Sequence, residues 1–298
     1  MEFYLLITQK IYKNMSLKFA YFGTPPFAVR VLEELQERNL SPSLIVTAPD
    51  KKAGRGLTLT PPAVKVWAEK NNIPIIQPES LKEIPEELKA DFDVFVVAAY
   101  GKILKKELID LPRCGTLNVH PSLLPKYRGA SPIEGQILHD EKPVGVTIMQ
   151  MDEDLDHGPI VLQREKTLPA WPIRKDELTR VFAAYGGEIL AEAMTKWCDG
   201  KIEAVPQDHE KATFTAKLKK EDGEINFADD PYQNFLKFCA FHPWPGTFFF
   251  ADGIRIKIAD ATYHEGIFLP TKVIPEGKKE VRYRELTGYN LPLEAPKQ

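Results

Sequence analysis

Asn118, His120 and Asp156 are the residues of this sequence best suited to passing an acyl group to an amine. That reaction needs a neutral amine to attack a carbonyl carbon, donors for the oxygen that gains negative charge, and an acceptor for the amine's proton. An amide NH₂ and a protonated imidazole both donate to such an oxygen, and losing one donor typically costs ~10²–10³ in rate. A carboxylate beside the imidazole favours its protonated form, fixes its orientation and can take the proton directly or through water. The set needs neither a metal nor a covalent nucleophile.

Spacing puts the first two residues on one surface. They lie in Thr116-Leu117-Asn118-Val119-His120-Pro121. Side chains alternate along a strand, so Leu117 and Val119 face one way and Asn118 and His120 the other. Pro121 has no N–H for the ladder and ends the strand. From these two residues alone, a polar strand end with a satisfied histidine is an equally open reading. Asp156 comes from Met151-Asp152-Glu153-Asp154-Leu155-Asp156-His157-Gly158-Pro159, which leaves the next strand and turns at Gly-Pro. Asp156 can thus reach back across the sheet top, while Asp152, Glu153 and Asp154 read as a solvated acidic turn.

The elements around these segments alternate strand and helix. Strands are expected at Phe19–Phe22, Leu44–Thr47, Ile73–Ile76, Val94–Ala99, Thr116–His120 and Val144–Met151. Helical spacing marks Phe27–Arg38, Ala63–Asn71, Glu79–Lys89, Leu104–Ile109 and Lys175–Trp197. Val94–Ala99 is apolar throughout, as a central parallel strand covered on both faces must be. The pattern predicts a doubly wound α/β sheet with ligands at the carboxyl ends of its strands. No G-x-G-x-x-G pattern follows the first strand at Gly23, so no dinucleotide is indicated. From about Val205 the chain becomes β-rich. Strands are expected at Ala212–Leu218, Glu224–Phe227, Thr247–Ala251, Ile254–Ile258 and Ile267–Ile274, with a helix near Tyr232–Phe241 and a hairpin turn at Asp252-Gly253.

Bulk properties narrow the class. The chain has 298 residues, 43% of them hydrophobic and 27% charged, enough for two domains with real cores. A formal charge of −3 excludes polyanion binding by net charge and confines any nucleic-acid contact to local basic surface. Cys114, Cys198 and Cys239 have no paired spacing, which points to a reducing compartment and away from a disulfide framework or zinc site; Cys114 reads as a small buried hydrophobe. No apolar run approaches the ~20 residues that span a bilayer. Met1–Asn14 reads as an upstream extension, with Met15 the natural start. The boundaries expected are therefore 1–14, a catalytic domain over 15–204, and a β-rich domain over 205–298. The absence of an arginine-rich presequence favours a cytoplasmic protein, and a monomer is expected.

The run Asn118-Val119-His120-Pro121-Ser122-Leu123-Leu124-Pro125-Lys126-Tyr127-Arg128-Gly129-Ala130-Ser131-Pro132, with Leu155-Asp156-x-Gly158-Pro159, resembles the 10-formyltetrahydrofolate formyltransferases. The resemblance extends over about Leu17 to Tyr289. It implies a Rossmann-like catalytic domain followed by a small OB-like β-barrel, with Asn118, His120 and Asp156 as the catalytic trio and 10-formyltetrahydrofolate as formyl donor. It further implies that Ser122, Leu123, Leu124 and Pro125 line the folate site, and that backbone of Val97–Gly101 and of the Met151–Asp156 turn holds the pteridine. His157 departs from the threonine usual in the family.

Features outside the trio select the acceptor. Pro49-Asp50-Lys51-Lys52-Ala53-Gly54-Arg55-Gly56, running on to Lys65, is a cationic loop in which glycines allow close backbone approach. Charge alone leaves an ordinary solvated loop open. Within the family it resembles the loop of members that act on methionyl-tRNA, which implies that Lys51, Lys52, Arg55 and Lys65 face an initiator methionyl-tRNA. The segments Phe241–Gly246 and Ile274–Lys279 resemble the appended barrel of the same members, where Lys272, Lys278, Lys279, Arg282 and Arg284 can meet phosphates. The stretch between Ile258 and Lys272 is too short for the family's additional strands, so a shortened or open barrel is expected. A sugar-nucleotide amine as acceptor, or hydrolysis of the formyl-folate, is the competing reading.

Overall fold

The computed structural model describes residues 17–53 and 58–292. The expected extension Met1–Asn14, the expected start Met15 and the expected phosphate contact Arg55 lie outside the described residues.

In chain order the first strands are β1 (Phe19–Gly23), β2 (Leu44–Val46), β3 (Lys51–Ala53), β4 (Thr58–Thr60), β5 (Ile75–Ile76), β6 (Val94–Ala98), β7 (Thr116–His120), β8 (Arg128–Gly129), β9 (Gly145–Gln150) and β10 (Ile160–Glu165). Seven of them form one sheet ordered β10-β9-β7-β6-β1-β2-β5. The run β5-β2-β1-β6-β7 is parallel, and β9 pairs antiparallel with β7. Every residue of β1 and β6 is buried, as their unbroken apolar sequences require for strands covered on both faces. Phe22 and Phe95 meet at 5.3 Å in the core of one face, with Phe92 and Tyr100 beside them.

The helix Lys175–Cys198 crosses β7. Gly186 makes this possible, because a Cβ there would come within 2.7 Å of the Val119 side chain. Val119 separates Asn118 from His120, so helix packing on the back of β7 fixes the strand whose front carries the polar pair.

Several elements differ from expectation. The helix expected at Glu79–Lys89 reduces to a single tight turn at Glu86–Lys89. Pro85 cannot supply the N–H a continuous helix needs and forces Ile84 out of the helical region. The cationic loop after Pro49 is an antiparallel ribbon, with Lys51 opposite Thr60 and Lys52 opposite Leu59. The helix Pro132–Leu138 and strand β10 were not anticipated. Of Ala212–Leu218 only β11 (Phe214–Thr215) forms, paired with β8, and Glu224–Phe227 contributes only a bridge from Glu224 to Phe248.

The remaining strands are β12 (Thr247–Ala251), β13 (Ile254–His264), β14 (Ile267–Pro275) and β15 (Val281–Arg282), an antiparallel sheet in chain order. Asp252 and Gly253 turn with positive φ between β12 and β13, as two-residue hairpins demand. The short Ile258–Lys272 interval is a simple continuation of β13 around a second tight turn at Glu265-Gly266. The β-rich part is thus an open four-stranded sheet, the shortened form expected. The helix Pro231–Phe241 is N-capped by Asp230, whose carboxylate accepts from the Gln233 N–H at 2.8 Å.

The chain gathers into two units, each discontinuous in sequence: residues up to 124 with 146–164 and 182–209, and residues 125–145 with 165–181 and those from 210 onward. In the second unit Arg174 pairs with Asp260, and His242 Nδ1 lies 3.2 Å from the Asp176 carboxylate. In the first, Cys114 and Cys198 are bonded across 84 residues, with Cα atoms 5.5 Å apart. This corrects the expectation of unpaired cysteines and of Cys114 as a mere buried hydrophobe. The end of a long helix meets the loop before β7, a proximity that sequence spacing does not encode. Cys239 remains a buried thiol, pushed up to about 12 by burial. Among the described residues no helix is long and apolar enough to cross a membrane.

Candidate active site

Asn118 and His120 occupy the carboxyl end of β7, and Asn118 sits beside Val97 of β6 in the ladder. Val119 packs against the helix at Gly186, and strand alternation sets it with Leu117 on the face opposite Asn118 and His120. Past the end of β6, Ala99 and Gly101 take positive φ values of 49° and 77° and leave exposed backbone beside β7. Tyr100 between them is buried edge-on to Phe22, and burial pushes its hydroxyl up to about 12, so it stays neutral.

The third residue arrives from the turn after β9. His120 Nδ1 lies 3.6 Å from Asp156 Oδ1, the two side chains being 5% and 13% exposed. At that distance and burial the carboxylate acts on the ring with little screening by water and orients it. Because β9 runs antiparallel to β7, its last residue Gln150 lies opposite Leu117, and the turn that follows folds back to bring Asp156 to His120.

Holding Asp156 there takes unusual backbone. Its φ is 50°, in the left-handed region that costs a non-glycine residue roughly 1 kcal/mol or more and that aspartate tolerates better than most. Gly158, two residues on, lies so close to the Gln150 carbonyl oxygen that a Cβ would overlap it. His157, between them, places Nδ1 2.6 Å from Asp152 Oδ2 and stacks on the His209 ring at 4.0 Å. Asp152 also accepts from the Asp154 N–H at 3.1 Å, so it belongs to the internal wiring of the turn. Glu153 and Asp154 are exposed, as a solvated turn predicts.

The segment after β7 is held by a network that sequence reasoning missed. The Thr147 hydroxyl donates to Ser122 O at 2.7 Å and accepts from the Leu124 N–H at 3.1 Å and the Gln163 amide at 2.8 Å. One donor and two acceptor positions are all a hydroxyl has, so it is saturated. Gln163 also donates to Leu124 O at 2.8 Å. Ser122 and Leu124 are thereby buried, while Leu123 and Pro125 stay half-buried. Thr147 and Gln163 carry no motif; Thr147 reads as an ordinary residue of an expected strand, and Gln163 lies in β10, which the sequence pattern does not mark.

A family model described as formyl transferase matches residues 17–194, and one described as formyl transferase, C-terminal domain, matches residues 217–282. The chain belongs to the formyl transferase family. The methionyl-tRNA formyltransferase of Chloroflexus aurantiacus is 41% identical over 263 residues, 87% of this chain and 84% of that one. That of Thermotoga maritima is 38% identical over 290 residues, 91% of each. Among solved structures, an N-formyltransferase from Helicobacter canadensis in complex with folinic acid and dTDP-3-aminofucose superposes with a TM-score of 0.62 over 89% of this chain and 98% of that one, at 18% identity. HypX from Aquifex aeolicus in complex with tetrahydrofolic acid superposes with a TM-score of 0.61, over 90% of this chain and 46% of that one, at 16% identity. At such identity these two speak for the fold.

In this formyl transferase the cations expected to meet phosphates divide. Lys51 and Lys52 project from β3 and are exposed. Lys65 instead sits 2.8 and 3.0 Å from the two Asp50 carboxylate oxygens, while Gln77 donates to the same carboxylate at 2.8 Å. Its charge is matched within the root of the ribbon. Of the C-terminal cluster, Lys272 faces Glu280 at 3.5 Å, Arg282 faces Glu285 at 3.6 Å, and Lys278 lies over the Tyr289 ring. No group of three or more metal-ligating side chains occurs among the described residues.

Proposed function

We propose that this formyl transferase moves the formyl group of 10-formyltetrahydrofolate to the amino group of methionyl-tRNA, with initiator tRNA as its acceptor, acting as a cytoplasmic monomer. Residues 15–204 carry the catalytic side chains, and 205–298 help hold the tRNA. The observation that carries the chemistry is the 3.6 Å approach of the Asp156 carboxylate to the His120 ring at the end of the strand bearing Asn118.

Folate fits the neighbourhood by its chemistry: a flat, hydrogen-bonding ring needs backbone N–H and C=O groups at its edge and apolar contact on its faces. The turned backbone at Ala99 and Gly101, together with Leu123 and Pro125 after β7, has those properties. The folate supplies the formyl carbonyl. Asn118 donates its amide N–H to the formyl oxygen as charge grows there, and a ring N–H of His120 donates a second hydrogen bond. Asp156 orients the imidazole and accepts the proton lost by the attacking amine, directly or through a water. The new bond joins the amine nitrogen to the formyl carbon, and the bond broken is that from the formyl carbon to the folate nitrogen.

Support for the acceptor comes from the relatives' shared name, over most of each chain, and from the exposed lysines of the β3–β4 ribbon. The acceptor is tested by competition. Equal concentrations of charged initiator tRNA, an amino-sugar nucleotide and glycinamide ribonucleotide are offered with 10-formyltetrahydrofolate. Formylmethionyl-tRNA should dominate. A formylated sugar or ribonucleotide as main product, or formate released without acceptor, would overturn the reading.

A further inference from the structure

Three candidates stand outside the chemistry already described. A cavity of about 210 Å³ between Lys142–Val144 and Glu165–Leu168 with Trp171 offers no buried polar group pointing to a ligand. The Cys114–Cys198 bond lies before β7, at the end remote from Asn118 and His120. The segment Val205–His209 touches the turn of Asp156 itself, and it goes furthest.

Val205 and Ile160 exchange both backbone hydrogen bonds, each at 2.8 Å, which lays this segment antiparallel to the chain leaving the turn. Two residues on, the Gln207 side chain is buried, and its NH₂ donates to Asp156 O at 2.9 Å and to Gly158 O at 2.7 Å. Both partners are carbonyl acceptors, so the amide's orientation is dictated: its oxygen in that place would face two oxygens. Two residues further, His209 stacks flat on His157. Gln207 thus grips the carbonyls on either side of residue 157, and one of them belongs to Asp156, whose φ is 50°.

We infer that Gln207 is a positioning residue for the reaction: its amide clamps the left-handed turn that aims the Asp156 carboxylate at His120. The inference rests on the reading of Asp156 as the catalytic carboxylate. A side chain that merely filled space would be replaceable by one of equal size. This one must donate twice, so glutamate, equal in size but lacking the NH₂, is the discriminating substitution. Ionised, it would set a charged carboxylate oxygen, with no hydrogen to donate, against two carbonyl oxygens.

Steady-state kinetics and the pH profile of kcat are measured on the full chain with 10-formyltetrahydrofolate and methionyl-tRNA, for the parent, Gln207→Glu, Gln207→Leu and Asp156→Asn. Both Gln207 variants should lose 10- to 100-fold in kcat, keep KM for both substrates within about threefold, and displace the limb of the kcat–pH profile set by the His120–Asp156 pair. Should Gln207→Leu fail to fold, Gln207→Glu gives the same test. An unmoved limb in Gln207→Glu, whatever the size of its kcat, overturns the inference. Asp156→Asn separates the two levels. If it is inactive while Gln207→Glu matches the parent, only the clamp is wrong; if Asp156→Asn keeps parental kcat, the catalytic reading falls, and the clamp with it.

Discussion

At the scale of single residues, the proposed site holds a histidine–carboxylate pair where water is scarce. His120 is 5% exposed and Asp156 13%, so their interaction escapes most of the screening that makes surface pairs weak. Asn118 has no charge, so its proposed role rests on direction, set by a strand that a helix packs from behind through Gly186. Asn118→Ala and His120→Ala should each lower single-turnover formyl transfer by ~10²–10³ while folate binding changes little. Stopped mixing at saturating folate, with a parallel binding titration, checks both halves. The pair's spacing and shared face were legible in the sequence because a strand's period is two. The partners Thr147, Gln163 and Gln207 were not, because each acts on backbone far along the chain.

Among elements, the β3–β4 ribbon shows how a motif's charges acquire separate roles. Lys65 and Gln77 fasten Asp50 at the ribbon's root, and Lys51 and Lys52 stay exposed on it. The hydrogen bond from Gln77, then that from Lys65, holds the Asp50 carboxyl below its ordinary range. A depressed folded value means that the pair's contribution is present above the unfolded value and disappears as pH falls through the folded one. Asp50→Asn should therefore lower the thermal midpoint at neutral pH, and the difference from the parent should shrink as pH falls from the ordinary carboxylate range through the lowered Asp50 value. Melting curves across that range decide it. Lys51 and Lys52 are the exposed lysines proposed to meet the acceptor. Replacing both with alanine should raise KM for methionyl-tRNA and flatten the log–log dependence of tRNA binding on salt by about one for each phosphate left without its lysine. An unchanged slope would take the ribbon out of the tRNA interface. The ribbon pattern itself was hidden from sequence, because glycine-rich polar segments give no apolar alternation to read.

For the whole molecule, the bond between Cys114 and Cys198 ties the end of the long helix to the approach of β7 across 84 residues. Closing a loop of that length restricts the unfolded chain, and such links typically contribute about 2–4 kcal/mol. Cys198→Ser, or reduction of the parent, should lower stability by that order in a urea titration, with kcat little altered because the link lies at the far end of β7. Equal stability with and without reductant would show that the two sulfurs are not joined in solution.

The sequence by itself determined the α/β order, the parallel core strands, the hairpin at Asp252-Gly253, and the identity of Asn118, His120 and Asp156 as residues fit for amine acylation. Periodicity, turn chemistry and side-chain reactivity are local properties, and local properties survive in a string of letters. Only the tertiary structure decided that Pro85 limits its segment to one turn, that Lys65 is matched by Asp50, that two cysteines meet, and that Gln207 holds the backbone of Asp156. Each of these depends on which distant segments share a boundary. That is settled by how whole faces pack, after every local preference has already been expressed.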